Sequence, residues 1–332
     1  MEISWLDPEH PDQIDLAEAV AVREAVRAAD LPERPVTTTS RLLTQLRYGW
    51  DADPPRMAVA RPEPGAPAIG VLQVHMPRWD NTHLGHVWVG IDPAHRRRGW
   101  GRALFEAGVE TVRAAGRRVL LSTAPEGGAG AEFLAAMGLT PVFREAYRRL
   151  DLTTMDREKC EAAREEAWQR AQDYRLIRMP APSPEELLPA VATITNAIND
   201  APTGELEIED ELYTVDRIRA YERTQLRDHR LYHLLAVTRD GEEPAGHTVV
   251  VVDRERPWYG DQHDTSVARA HRGRRLGLLL KAEMLRWLAE EEPQLRIIDT
   301  SNAADNHHMI AINERLGYRL IRYEQDWQRS LT

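Results

Sequence analysis

The chain has 332 residues and carries 43 Lys plus Arg against 53 Asp plus Glu, a formal net charge of −10. That length suggests two domains, and 42% hydrophobic with 29% charged residues is the profile of a globular protein with ordinary cores. An acidic chain lacks the basic field of a general nucleic-acid or membrane-surface binder, and one cysteine, Cys160, excludes an internal disulfide framework and a Cys-cluster metal site. The N-terminal stretch MEISWLDP has neither a basic nor an apolar targeting region, and no run of 18 apolar residues occurs, so a reducing, cytoplasmic location is the expectation.

In chain order, residues 13–30 read as a helix, followed by strands around 56–62 and 68–76. A β-prone stretch before Asp92 leads into the turn Arg96-Arg97-Arg98-Gly99-Trp100-Gly101-Arg102. A helix then carries Leu104, Phe105, Val109 and Val112 on one face until Gly116. A strand over 118–122, a short helix closed by Gly138 and a last strand complete this half. Residues 153–173 are charged and helix-prone with sparse apolar positions, which predicts a solvent-facing connecting helix. Pro180, Pro182 and Pro184 mark a boundary before a helical stretch at 184–200. Strands around 231–238 and 245–253 follow, with Asp240-Gly241 as the turn between them. The end of the chain repeats the first half: a β-prone stretch, the basic turn His271-Arg272-Gly273-Arg274-Arg275-Leu276-Gly277, a helix until Pro293, a strand at 296–300, a short helix closed by Gly317 and a last strand.

The repeat is explicit in the residues. Sliding VWVGIDPAHRRRGWGR (87–102) onto HDTSVARAHRGRRLGL (263–278) aligns His95 with His271, Arg96 with Arg272 and Gly101 with Gly277, an offset of 176. The expected fold is therefore α/β, with a mixed sheet in each of two tandem copies. The copies span 1–152 and 176–332, joined by a connecting helix over 153–175.

A glycine- and arginine-rich turn at a helix N-terminus is suited to anions, because unpaired backbone N–H groups and the helix dipole point outward there. Neither turn is a GxxxxGK[ST] phosphate loop or a GxGxxG fingerprint. The first matches Arg-x-x-Gly-x-Gly/Ala after a strand and the second follows it at Arg272 and Gly277, which resembles the pyrophosphate loop of the GNAT N-acetyltransferases. The segment from Thr300-Ser301-Asn302-Ala303 through Asn306 to Asn313 and Leu316-Gly317-Tyr318 is similar to that family's last strand–helix motif. The likeness covers both halves, so the whole chain resembles a tandem GNAT protein. Two departures stand out: Arg275 occupies the place of the loop's first glycine, and the first copy has Ala124-Pro125-Glu126 in place of the asparagine-bearing segment.

The resemblance implies acetyl-CoA as co-substrate, no metal, and a small-molecule amine as acceptor, which attacks the thioester directly. It assigns the coenzyme to Val89, Ile91, Arg96, Arg97, Arg98, Gly99, Gly101 and Arg102 in the first copy. In the second copy it assigns Ser266, Val267, Arg272, Gly273, Arg274, Arg275, Leu276, Gly277, Asn302 and Asn306. A strand carboxylate acts as base in the family, and Asp261 lies at the usual spacing before Arg272. Asp264 is the other candidate, on the opposite face if the strand is regular. The first copy has Gly85 and Trp88 at those spacings and only His86 as a titratable neighbour, which places catalysis in the second copy. A backbone N–H at Ser266 or Val267 would meet the oxyanion. The family's tyrosine acid is replaced by Asn313 here, a hydrogen-bonding candidate for the thioester sulfur or the pantetheine arm, while Tyr318 reads as a packed aromatic. His307 and His308 sit on different helix faces and His83 lacks partner ligands, so neither marks a metal site; Cys160 reads as a bystander. The acidic run Glu205 to Glu211 would suit a cationic amine, although exposed acidic loops are common. Two function classes follow: an acetyl-CoA-dependent N-acetyltransferase, or a degenerate acyl-CoA-binding sensor or scaffold. The expected assembly is a monomer or homodimer.

Overall fold

The computed structural model of the chain describes residues 1–240 and 243–332, so the expected Asp240-Gly241 turn lies outside the described residues at Gly241. The chain forms two compact units: Met1–Arg144 with Gly204–Glu209 and Glu324–Thr332, and Glu145–Thr203 with Asp210–Tyr323.

In the first unit, β1 (Glu2–Trp5) precedes α1 (Gln13–Asp30) and α2 (Thr39–Tyr48). The strands β2 (Arg56–Arg61), β3 (Gly70–His75) and β4 (Leu84–Ile91) follow, then α3 (Trp100–Ala114), β5 (Val119–Pro125) and α4 (Ala129–Ala136). Strands β1 to β4 pair antiparallel in sequence order, and β5 joins β4 in parallel. The far edge of β5 is covered by the end of the chain, with Glu324–Ser330 antiparallel to Pro125–Val119. Side chains alternate across this sheet with the two-residue period of a strand. Ala58, Leu72, Val74 and Val87 pack under Leu104, Phe105 and Leu134 of α3 and α4; Met57, Val59 and Val71 pack under Leu16, Val22, Leu42 and Leu46 of α1 and α2.

The strand β6 (Thr140–Asp151) begins in the first unit and ends in the second. The second unit continues with α5 (Arg157–Arg170), β7 (Tyr174–Met179), α6 (Leu188–Thr195) and α7 (Val215–Asp228). After β8 (His229–Thr238), β9 (Pro244–Asp253) and β10 (Tyr259–Val267) come α8 (Leu276–Glu291), β11 (Ile297–Ala303), α9 (His307–Arg315) and β12 (Arg319–Ser330). Strands β7 to β10 are antiparallel in order, β11 is parallel to β10, and residues 145–151 of β6 pair antiparallel with β11. Each unit therefore takes its last strand from the other copy of the repeat: the end of β12 completes the first and the end of β6 completes the second.

The segment expected to face solvent is a packed element. Cys160, Ala163 and Ala167 form a narrow stripe of small residues on α5, buried in one core with α8. The charged residues around that stripe hide it from an apolar-periodicity reading. Its presence explains why α8 is apolar on two sides, with Leu276, Leu278, Leu279, Leu280, Met284, Leu285 and Leu288 all buried. Strands β1 and β7 and helices α2 and α7 are additions to the sequence reading.

Candidate active site

Both units open their sheets at the same place. Strand β4 pairs with β5 only from Leu84 to His86, and β10 pairs with β11 only from Tyr259 to Asp261. Beyond those residues the parallel strands part, leaving two facing edges of unpaired backbone, a crevice that can accept an extended ligand. Ladder alternation fixes which groups face it. The Ala268 N–H donates to Ala245 O on β9, so the Ser266 N–H is also directed at β9 and the Val267 N–H at the crevice. Of the two oxyanion donors expected, Val267 has the required direction. In the first unit the Asp92 N–H donates to Ile69 O, which turns the backbone groups of Val89 and Ile91 to the corresponding crevice.

A β-bulge separates the two copies. Gln262 pairs with Val250 and Thr265 with Thr248, so His263 and Asp264 together oppose one residue of β9. The bulge places Asp264 on the face that carries Asp261, which overturns the regular-strand expectation of opposite faces. Strand β4 pairs with β3 without interruption. The extra residue in β10 also changes the correspondence: with Leu84 to His86 matching Tyr259 to Asp261 against the parallel strand, His86 and not Gly85 stands in the place of Asp261.

That face of the second unit, toward α6 and α7, is polar and connected. The Asp264 carboxylate is 2.6 Å from His247 Nε2 and accepts from Ser266 Oγ at 2.7 Å. His247 Nδ1 is in turn 3.0 Å from His233 Nε2. Both imidazoles are buried, and desolvation beside the second ring holds His233 well below its usual pKa, so it is neutral. Tyr259 donates to Asp261 at 2.9 Å and lies 3.1 Å from Asp299, whose two oxygens accept from Arg149 at 2.7 and 2.8 Å. Burial pushes the His263 imidazole down to about 3 and the Tyr221 phenol well up, so Tyr221 donates to a neutral His263 Nδ1 at 2.6 Å. The sequence reading missed His233, His247, Tyr221 and His263; His247 at the head of the valine-rich run HTVVVV and His233 inside the apolar run LYHLLAV were the available clues.

The two basic turns share a backbone. Residues Arg97 and Gly99 have φ of 62° and 84°, and Gly273 and Arg275 have 79° and 59°. At the repeat offset these are the same two left-handed positions, with glycine and arginine exchanged. An arginine in this region costs about 1–2 kcal/mol, which both copies accept once. The helices that follow have no side-chain cap, so the first-turn N–H groups of α3 and α8 remain available. A Cβ built at Gly99 or Gly273 meets nothing within 4 Å. The space beyond each turn is open, as a pyrophosphate approaching the helix end requires.

The leading arginines are pins. Arg96 Nε donates to Ile91 O at 3.0 Å while its terminal nitrogens grip Asp30 at 2.9 and 2.7 Å. Arg272 Nε donates to Val267 O at 3.0 Å and its Nη2 to Asp200 at 2.7 Å, a carboxylate shared with Arg269. Arg275 pairs with Glu166 at 2.8 Å and Arg274 donates to Tyr174 Oη at 2.8 Å. Arg97, Arg98 and Arg102 stay exposed on the first turn, with Arg98 donating weakly to Ala94 O at 3.3 Å. Gly101 and Gly277 lie in the first turns of α3 and α8, Gly277 against Ile312, and the Leu276 side chain is core.

Two asparagines named from the sequence have structural partners. Asn313 is fully buried and donates to Asn302 Oδ1 at 2.7 Å, so it supports β11 from inside rather than lining an open surface. Asn306 caps α9 by accepting from the Met309 N–H at 3.1 Å. The acidic run divides, Gly204–Glu209 belonging to the first unit and Glu211 to the second. Burial raises the Cys160 thiol pKa, which leaves it unreactive, and Tyr318 is buried in the core. Among the described residues no group of three His, Cys, Asp or Glu could hold a metal ion, and no helix is long and apolar enough to cross a membrane.

A family model described as the acetyltransferase (GNAT) family matches residues 23–139 and 193–318. Among solved structures, a tandem GNAT protein from the clavulanic acid biosynthesis pathway, without AcCoA, is 26% identical with a TM-score of 0.80, over 99% of this chain and 98% of that one. A GCN5-related N-acetyltransferase from Sphaerobacter thermophilus aligns at 16% identity and a TM-score of 0.71, over 99% and 95% of the two chains. A glucosamine N-acetyltransferase region in a fungal multi-domain GH3 beta-N-acetylglucosaminidase aligns at 15% identity and 0.68, covering 99% of this chain and 38% of that one. No curated protein matches the chain significantly in sequence.

Proposed function

Because the chain belongs to the GNAT acetyltransferase family, we propose that it transfers an acetyl group from acetyl-CoA to the amine of a small cationic molecule, on the α6/α7 face of the second unit. The observation that carries this reading is the bulge in β10, which turns Asp264 onto the face of Asp261 at the mouth of the crevice. The residues present fit the coenzyme: the uncapped start of α8, the left-handed turn at Gly273 and Arg275, and the open space beyond it suit a pyrophosphate. The crevice edge from Thr265 to Val267 suits an extended pantetheine arm.

Asp264 is the base in this reading. Its carboxylate takes a proton from the acceptor ammonium, while His247 and Ser266 fix its orientation through one hydrogen bond to each oxygen. The Val267 N–H is the donor placed for the carbonyl oxygen as negative charge develops. Carboxylates at Asp261 and Asp264 beside the Tyr221 ring favour a cation over a neutral or anionic acceptor. With Asn313 enclosed, the leaving thiolate takes its proton from water. The first unit lacks the bulge and carries Trp88 and His86 at these places, so it does not transfer.

Free-thiol release from acetyl-CoA with an amine panel tests the reading, with Asp264→Asn and Asp261→Asn alongside. Amine-dependent release that falls at least a hundredfold in Asp264→Asn and less than tenfold in Asp261→Asn supports it. Coenzyme binding by calorimetry with no amine-dependent release by the wild type would replace it with a coenzyme-binding sensor.

A further inference from the structure

The first unit presents the same crevice with the opposite charge beside it. On β3 and β4 the register places Gln73 opposite Trp88 and His75 opposite His86, all four on the face toward α1 and α2. Arg23, from α1, lies over the Trp88 ring with its guanidinium carbon 5.3 Å from the centroid and donates to Gln73 Oε1 at 3.0 Å. Among the described residues no carboxylate hydrogen-bonds this guanidinium; Glu24 nearby favours its charge and Arg34 opposes it. The neighbouring groups are committed elsewhere: Glu24 accepts from Arg27 and the Thr37 N–H, and Arg34 pairs with Glu324 at 2.6 Å. Asp326, on the β12 side of this face, accepts from Thr123 at 2.6 Å. Asp53 is held by Arg78 and lies 3.3 Å from His75. Desolvation lowers Arg23 to about 10 and, with His75, lowers His86 to about 4, so Arg23 is charged and His86 neutral at pH 7.

A half-buried guanidinium without a directly bonded counter-ion is unfavourable in the empty protein. Stacking on an indole fixes its plane while leaving its remaining N–H donors in the fork geometry that matches two carboxylate oxygens. Trp88 stands where β10 bulges to present Asp264, so the position that faces an ammonium in one copy faces an anion in the other.

We propose that the first unit is a binding site for a small organic carboxylate, held by Arg23 on Trp88. The site is independent of acetyl transfer in the second unit and requires no chemistry. Its ligand is a free acid small enough to sit between α1 and the β3–β4 face, and its binding supplies the hydrogen-bonded carboxylate that Arg23 lacks.

Titration of the full chain with acetate, succinate and glutamate at constant ionic strength, with acetamide as the neutral control, tests this by thermal shift and calorimetry. At least one carboxylate is expected to raise the melting temperature saturably, and acetamide is expected to have no effect. Arg23→Met is expected to bind at least tenfold more weakly while melting no lower than the wild type without ligand. Trp88→Phe keeps a stacking surface and is expected to keep the response, as is Arg286→Gln, a solvent-facing arginine of the second unit. An equal response in Arg23→Met, or no carboxylate response in the wild type, overturns the proposal.

Discussion

Substituting Gly273 by alanine separates the backbone requirement of the basic turn from its role toward a ligand. Gly273 sits at φ 79°, and an added Cβ would meet no protein atom within 4 Å. The folded-state cost is then the left-handed conformation alone, about 1–2 kcal/mol, offset by about 0.4–1 kcal/mol from the stiffer unfolded chain. The net loss of stability is at most about 1.6 kcal/mol, comparable to what the turn already tolerates at Arg275. By contrast, a Cβ at Gly85 would lie 2.3 Å from a Val112 methyl, so Gly85→Ala forces a shift in the core worth about 1–3 kcal/mol. Toward a ligand the order reverses. On the proposed function the Gly273 Cβ would occupy space the pyrophosphate enters, and coenzyme affinity should fall tenfold or more, about 1.4 kcal/mol. Chemical denaturation and acetyl-CoA calorimetry on Gly273→Ala, on Gly99→Ala and on the double variant read both quantities. Coenzyme affinity within twofold of wild type in the double variant would refute the assignment of these turns to the pyrophosphate.

Other outcomes follow from residues far from the turns. Lys281 is buried against the Tyr318 ring, 4.9 Å from its centroid, and burial pushes its pKa down from 10.5 to about 7. The unfolded chain therefore holds this proton more tightly, and stability is lost as pH falls from about 10.5 to about 7. Lys281→Met should raise stability by up to about 5 kcal/mol below pH 7, with the gain fading toward pH 10.5, as urea melts across that range would show; a pH-independent difference would count against the buried charge. Trp327, near the C-terminus, is buried in the first unit's core. Trp327→Ala should cost about 3–5 kcal/mol, and hydrogen exchange should show the loss in β5 and α4 rather than in α8. Loosening confined to the second unit would contradict the strand exchange.

Much of the fold was legible because the repeat was. Both βα turns, the helices closed by Gly138 and Gly317 and strands β2, β3, β8 and β9 lie where the spacing of apolar residues and glycines placed them. The strand exchange was not legible: β6 and β12 each look like the last strand of their own copy, and nothing local in Tyr147 or Trp327 says which sheet receives it. Helix α5 was misjudged because a stripe of Cys160, Ala163 and Ala167 seals an interface without large apolar residues. At the site, the basic turns and both aspartates were visible, but a bulge depends on pairing between strands and leaves no mark on one strand's sequence. The roles of Arg96 and Arg272 were equally hidden, since Asp30 and Asp200 reach them from distant elements. The positions most suggestive of phosphate contact turned out to brace the turn whose backbone would make it.

The central claim is that transfer depends on the second unit's bulged strand and not on its regular counterpart. Steady-state thiol release, with acetyl-CoA and an accepted amine, should be compared between Asp264→Asn and His86→Gln in the full chain. The account predicts a loss of about 100–10,000-fold in kcat/KM for Asp264→Asn, the range of a removed general base, and a change of less than about twofold for His86→Gln. Activity retained in Asp264→Asn and abolished in His86→Gln would place the chemistry in the first unit and contradict it.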